Sequence, residues 1–298
     1  MKVNAAYDWS ENSWGSFYEN QPRNIIIPPY GGEFGWFCSH WVRQVAQIKA
    51  DHVVVCCKKD EEIFYPHADE FYSDYDNTVW PELPQGMGKE FVWEEQNKIL
   101  EKALSEKPQW GDYIIFRPSK GWEYSMDLNY PVTLIPDLDI KVDLVLSARN
   151  CVAEGARSKK TFTNIDVETL PLDELQALGI TIGLIGTKDA TVDLPNVSVK
   201  SYNYSQPNHA SVSMMQNCKL ALVQNTGVMH LASLCDTPTV VFGRHKTHMV
   251  EWAARQRSNK SFFRYMGGKL NCKESIYNYV KKYFEDLPEK RLDKYYPF

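Results

Sequence analysis

The sequence predicts an α/β protein made of two doubly wound domains. Three observations predict it. Short all-apolar runs alternate with segments whose apolar residues recur at helical spacing. Those runs are apolar on both faces, as strands of a parallel sheet covered on both sides must be. The alternation starts afresh near residues 130–140, and 298 residues suit two domains of roughly 100–200 residues each. The expected boundaries are 1–136 and 137–298.

Residues 1–23 are polar and aromatic without a period and read as an arm. Asn24–Pro29 (NIIIPP) reads as a buried strand closed by prolines, followed by the glycine-rich turn Tyr30-Gly31-Gly32-Glu33-Phe34-Gly35. Phe37, Trp41, Val45 and Ile48 then share one helical face, and His52–Cys57 is a second apolar strand. Strand, turn, helix and strand make one right-handed βαβ unit. Residues 58–90 read as loops around a short strand, Phe91–Lys107 as an amphipathic helix and Tyr113–Arg117 as a strand stopped by Pro118. Val132–Pro136 is a short extended run.

The second series opens with the strand in Lys141–Ala148 (KVDLVLSA) and a loop carrying Arg149, Arg157, Lys159 and Lys160. A helix over Leu170–Leu178 has Pro171 in its first turn and Gly179 beyond its end. The strand Ile180–Ile185 ends in Gly186-Thr187, and Val197–Val199 is another short strand. Ser211–Cys218 reads as helix, Leu220–Gln224 as strand, Thr226–Leu234 as helix and Thr239–Phe242 as strand. Lys273–Phe284 is a C-terminal helix, expected to pack back on the N-terminal domain.

Composition narrows the function classes. The net charge is −5, whereas general binders of nucleic acid or anionic membranes are basic. The apolar runs fall far short of the ~20 residues of a membrane span. The first residues, MKVNAAYDWSENSW, lack the apolar core of a signal peptide. Seven cysteines, an odd number with no C-x-x-C, read as buried reduced thiols of a cytoplasmic protein. The same spacing offers no zinc site.

Leu220–Gly243 is the most informative stretch. Gln224 ends a buried strand, and Asn225 or Thr226 is expected to cap the next helix with a side-chain oxygen. Gly227 allows a ligand close to the backbone. Such a helix start points N–H groups and a positive dipole end at an anion. His230 lies one turn on, on the face of Thr226. The same residues also describe an ordinary capped helix with a packed histidine.

Asn225-Thr226-Gly227-x-Met229-His230-Leu231-Ala232, followed by Thr237-Pro238-Thr239-Val240-Val241-Phe242-Gly243, resembles the nucleotide-sugar half of the heptosyltransferase-like glycosyltransferases of family 9. The family reads D-T-G-x-x-H-x-A, so Asn225 stands in place of an acid. Leu144–Ser147 with Arg149 and the lysines after it, and Gly183–Asp189, are similar to upstream family segments. The resemblance covers about residues 141–243. It implies a GT-B fold, two Rossmann-like domains facing a cleft, with the donor held mainly by the C-terminal one. It also implies inverting transfer of a sugar from a nucleoside-diphosphate sugar to a hydroxyl of a glycan or glycoconjugate, with no cofactor and no metal.

The expected donor-binding residues are Arg149, Arg157, Lys159, Lys160, Gly186, Thr187, Asn225, Thr226, Gly227 and His230. Negative charge on the departing diphosphate must be met by helix amides and cations. An acceptor hydroxyl also needs a base. In the resembled family a carboxylate in the first glycine-rich turn is the proposed base, which points here to Glu33. A dinucleotide reading of GGEFG fails, because the pattern is not G-x-G-x-x-G and no acid closes the second strand. Asp137-Leu138-Asp139 fits loosely the Asp-x-Asp with which A-type transferases hold manganese, and Asp74-Tyr75-Asp76 is a second match. A non-catalytic nucleotide-sugar binder, motivated by Asn225, and a nucleotide-sugar 2-epimerase are further alternatives. His209, His245 and His248 have no assigned role.

Overall fold

The computed structural model describes residues 24–31, 34–73, 89–116, 129–148, 170–188, 191, 194, 196–243, 248–257, 262–267, 270 and 272–286, with side chains omitted at 89–95 and 248–249. The chain forms two compact units, Met1–Ile135 and Pro136–Phe298.

The N-terminal unit holds a four-stranded parallel sheet of β1 (Asn24–Ile27), β2 (His52–Cys56), β3 (Glu70–Tyr72) and β4 (Ile114–Ile115), in the order β3-β2-β1-β4. Ile25, Ile26, Ile27, Val54 and Val55 are completely buried, as the unbroken apolar runs require. The chain lays down β1, β2 and β3 in one direction and then places β4 on the other side of β1. Helix α1 (residues 34–45) follows β1 in three segments: Phe34–Trp36, a π-wound Phe37–Trp41, and Val42–Val45. The Trp41 indole N–H donates to the Tyr65 hydroxyl at 3.1 Å. Helix α2 (Lys89–Glu106) sets Ile99, Leu100 and Ala103 against Ile26, Val54, Cys56 and Trp110. Val132–Pro136 joins no sheet, and Ile135 is one of three exposed large apolar residues among the described residues.

The C-terminal unit holds a six-stranded, wholly parallel sheet. Its strands are β5 (Leu144–Ser147), β6 (Ile182–Leu184), β7 (Val199–Lys200), β8 (Leu220–Gln224), β9 (Thr239–Gly243) and β10 (Phe263–Gly267). The order is β10-β9-β8-β5-β6-β7. Helices α3 (Leu172–Gln176), α4 (Pro207–Asn217), α5 (Gly227–Leu234), α6 (His248–Arg255) and α7 (Lys273–Glu285) connect or close it. Leu144, Leu146, Leu220, Leu222, Val240 and Phe242 form the centre of its core. Burying each such side chain is worth about 1.5–3 kcal/mol. Asp143 pins the entry to β5. It accepts the Thr181 N–H at 2.8 Å and ion-pairs with Lys219 at 2.7 Å, and these contacts hold its carboxyl down at about 2.

Two points differ from what the sequence shows. Helix α4 starts four residues earlier than its apolar pattern shows, because Pro207 occupies the first turn, where a missing N–H costs nothing. α6 and β10 had no sequence assignment; β10 pairs along its whole length with β9. Helix α7 seats Ile276 and Val280 in the core of its own unit, and its Tyr283 hydroxyl donates to the Lys219 carbonyl at 2.9 Å.

The described cysteines are free thiols. Cys38, Cys56, Cys57 and Cys218 are buried, Cys235 is half-buried and Cys272 exposed. Burial pushes Cys56 and Cys218 up to about 12, which makes both poor nucleophiles. No described helix is long and apolar enough to cross a membrane.

Candidate functional site

In the C-terminal sheet the chain runs β5, β6, β7 to one side, then crosses to the other side of β5 for β8, β9 and β10. Strand order therefore reverses between β5 and β8. In open parallel sheets this reversal opens a crevice beyond the carboxyl ends of the strands, and ligands bind there. The Asn225-Thr226-Gly227 turn leaves β8 at this place.

The turn is built by backbone bonds. The Asn225 N–H donates to the Phe242 carbonyl at 3.0 Å, and the Thr226 N–H donates to the Gln224 carbonyl at 2.7 Å. Thr226 is extended (φ −139°, ψ −176°) and stands just before helix α5. The Met229 N–H donates to the Thr226 carbonyl at 3.0 Å. The amides of Gly227 and Val228, in the first turn of α5, have no carbonyl one turn back to bond within the helix. Residues 225–228 are all half-buried, within reach of solvent. The expected side-chain cap does not form. The Thr226 hydroxyl turns back toward the Gln224 carbonyl at 3.5 Å and bonds no amide of α5. Among the described residues the N-cap side chain thus leaves the first amides of α5 uncapped, and a helix start of this kind suits an anion.

Gly186 and Thr187 follow the carboxyl end of β6, on the same sheet edge. Strand β6 pairs with β5 in the register Leu146↔Leu184, and the Ile185 N–H donates to the Leu146 carbonyl at 2.9 Å. Gly186 has φ +156°, and a Cβ there would fall on the Thr191 hydroxyl. Only glycine fits both demands. Thr187 is exposed, and its carbonyl accepts the Thr191 N–H at 3.0 Å.

The sheet edge thus brings together Gly186, Thr187, Asn225, Thr226 and Gly227. His230 lies one turn into α5 at 2% exposure, enclosed rather than presented to solvent. Glu33, Arg149, Arg157, Lys159 and Lys160 lie outside the described residues, as do Asp74, Asp76 and His245.

Asp137 and Asp139 have protein partners. The Asp137 carboxylate lies 3.5 Å from His209 Nδ1. Asp139 ion-pairs with Lys141 at 2.9 Å and accepts from Asn217 Nδ2 at 3.3 Å. Ser213 binds the segment between them, donating to the Leu138 carbonyl at 2.6 Å and accepting the Ile140 N–H at 2.8 Å. Asp137–Ile140 is thereby stitched along α4. Among the described residues no group of three or more His, Cys, Asp or Glu is arranged to hold a metal ion.

Tyr265 was passed over in the sequence. Its hydroxyl donates to the Gly243 carbonyl at 3.0 Å, at the carboxyl end of β9 beside Asn225. Burial raises its hydroxyl above the usual tyrosine value. The available signal was an aromatic two residues before a glycine at a strand end.

No family model matches the sequence, and no curated protein matches it. Solved structures do match in fold. The ADP-heptose lipopolysaccharide heptosyltransferase II of Escherichia coli is 9% identical, with 88% of this chain and 99% of that one covered at a TM-score of 0.50. A family 9 glycosyl transferase from Veillonella parvula DSM 2008 is 9% identical, with 90% of each chain covered at 0.48. An E. coli heptosyltransferase solved with ADP is 10% identical, with 88% and 99% covered at 0.44. The likeness to heptosyltransferase II is one of fold, it agrees with the architecture expected from Asn225–Gly243, and the chain has the GT-B fold.

Proposed function

We propose that this protein is a glycosyltransferase that moves a sugar from a nucleoside-diphosphate sugar to a hydroxyl of a glycan or glycoconjugate, with inversion and without a metal ion. The observation that carries this reading is the start of α5: amides without an intrahelical acceptor at the strand-order reversal of a parallel sheet.

In this reading the diphosphate lies against the Gly227 and Val228 amides, and Arg149, Arg157, Lys159 and Lys160 supply positive charge. Gly186 and Thr187 lie toward the nucleoside. Glu33 takes the proton of the acceptor hydroxyl as its oxygen attacks the anomeric carbon. The bond from that carbon to the diphosphate oxygen breaks, and the electron pair leaves with the diphosphate. Attack from the opposite face inverts the centre. The helix dipole and the cations stabilise the charge that grows on the leaving group, the role a metal would otherwise fill. The reduced thiols favour the cytoplasm as its place of work.

The test is a thermal-shift panel of ADP, GDP, UDP and CDP in EDTA, followed by assay of diphosphate release from the matching nucleotide sugars. A ligand bound only by the folded state raises the midpoint, by an amount worth about 2.7 kcal/mol at a hundredfold excess over Kd. One nucleotide is expected to stabilise the protein, and its sugar conjugate to turn over in EDTA. No shift with any of the four, or turnover abolished by EDTA, overturns the proposal.

A further inference from the structure

We propose that Tyr265 is a positioning residue for the diphosphate site, holding the carboxyl end of β9 on which the Asn225–Gly227 turn rests; this rests on the reading of that turn as the donor site.

Strands β8, β9 and β10 end side by side. Gln224 pairs with Phe242, and Gly243 pairs with Gly267. The next residue of β8, Asn225, donates its N–H to the Phe242 carbonyl at 3.0 Å. Gly243 follows at φ +157°, and a Cβ there would stand 3.4 Å from the Asn225 Cβ. The end of β9 is therefore the floor against which the turn is set.

Tyr265 holds that floor from the neighbouring strand. Its Cα pairs with Val241, two residues short of the strand end, and its side chain reaches forward along the edge. The hydroxyl donates to the Gly243 carbonyl at 3.0 Å. The ring occupies the space that a Gly267 side chain would need, since a Cβ on Gly267 would fall into the ring. Glycine at 267 makes room for the ring, and the hydroxyl fixes the carbonyl of glycine 243. The half-buried ring has one polar atom, and that atom is spent on the strand end next to the site.

The linkage runs Tyr265 hydroxyl, Gly243 carbonyl, Gly243 Cα, Asn225, then the amides of Gly227 and Val228. Amide placement matters because hydrogen bonds to an anion weaken steeply once distance or angle is lost. Tyr265 touches no reacting atom in this scheme. It sets the direction of the donors that do.

Two variants separate this role from simple structural support. Tyr265→Phe removes only the hydroxyl, and Gly267→Ala displaces the ring while leaving Gly243 intact. The probe is whichever of ADP, GDP, UDP or CDP stabilises the wild type. Kd is measured by titration calorimetry, with the unfolding midpoint of the free protein and kcat and KM for the sugar donor. Both variants are expected to raise Kd and donor KM about fivefold to tenfold, because the strand end beneath the amides is no longer held in place before the nucleotide arrives, while the free-protein midpoint falls by no more than the loss of one hydrogen bond explains. A Tyr265→Phe protein with wild-type Kd overturns the inference, whether or not its midpoint falls. A wild type that binds none of the nucleotides overturns the donor-site reading itself, and the inference with it.

Discussion

Replacing Gly227 by proline deletes one amide of the proposed diphosphate site while leaving its helix intact. Gly227 is the first residue of α5, where proline is favoured because that N–H has no helical acceptor. Its φ is negative, so a proline ring is compatible. The preceding Thr226 is extended at φ −139° and ψ −176°, the conformation a residue before proline prefers. The free protein should therefore gain about 0.4–1 kcal/mol, because proline restricts the unfolded chain. The bound state loses one charge-assisted N–H···O bond, worth about 1.5–3 kcal/mol. Affinity for the nucleoside diphosphate should fall about tenfold to a hundredfold. The two effects have opposite signs, so urea unfolding of the free protein and calorimetric titration with the nucleotide distinguish them. A Gly227→Pro protein with native stability and unchanged Kd would show that the amides at the start of α5 do not grip the diphosphate.

His67 makes the N-terminal unit sensitive to acid. Both its ring nitrogens are buried with no hydrogen-bond partner among the described residues. Burial lowers its pKa from 6.5 to about 4, against the opposing pull of the Asp69 carboxylate. The unfolded chain binds a proton that the folded one refuses, so stability is complete above about pH 6.5 and declines as pH falls toward 4. The loss should be on the order of 3 kcal/mol at pH 4. Urea midpoints across that range should flatten in His67→Leu relative to wild type, and parallel curves would refute the assignment. In the C-terminal unit, a Cβ on Gly183 would press on the Val142 methyls at 3.1 and 3.2 Å and meet the end of Met214. Gly183→Ala should destabilise by about 1–3 kcal/mol, and an unchanged melting temperature would contradict the packing of β6 against α4.

The core strands and the helix start were legible because their signals are local. Leu220–Val223 is apolar throughout, and the predicted and observed limits of the strand Leu220–Gln224 coincide. Gly179 was placed just past a helix end and adopts φ +71°, as a left-handed helix stop requires. The edge strand β10 was not legible. FRYMG mixes aromatic, charged and small residues, and it is a strand because β9 offers it a ladder. The Thr226 hydroxyl was misread as a cap because its choice between two backbone groups depends on the path of the turn.

Local periodicity by itself determined which segments are strands or helices, and that the chain carries two parallel-sheet units. It also picked out Thr226–Gly227 as a helix start suited to an anion. Only the tertiary structure decided the strand order, and with it the reversal between β5 and β8 beside which this helix starts, the place where open parallel sheets bind ligands. It decided too that His230 is enclosed, that Asp137–Ile140 is held by Ser213 some 75 residues away, and that Tyr265 clasps Gly243. The physical reason is the range of the interactions. Helix and strand preferences act within a few residues, whereas strand order, burial and side-chain hydrogen bonds are fixed by partners remote in the chain.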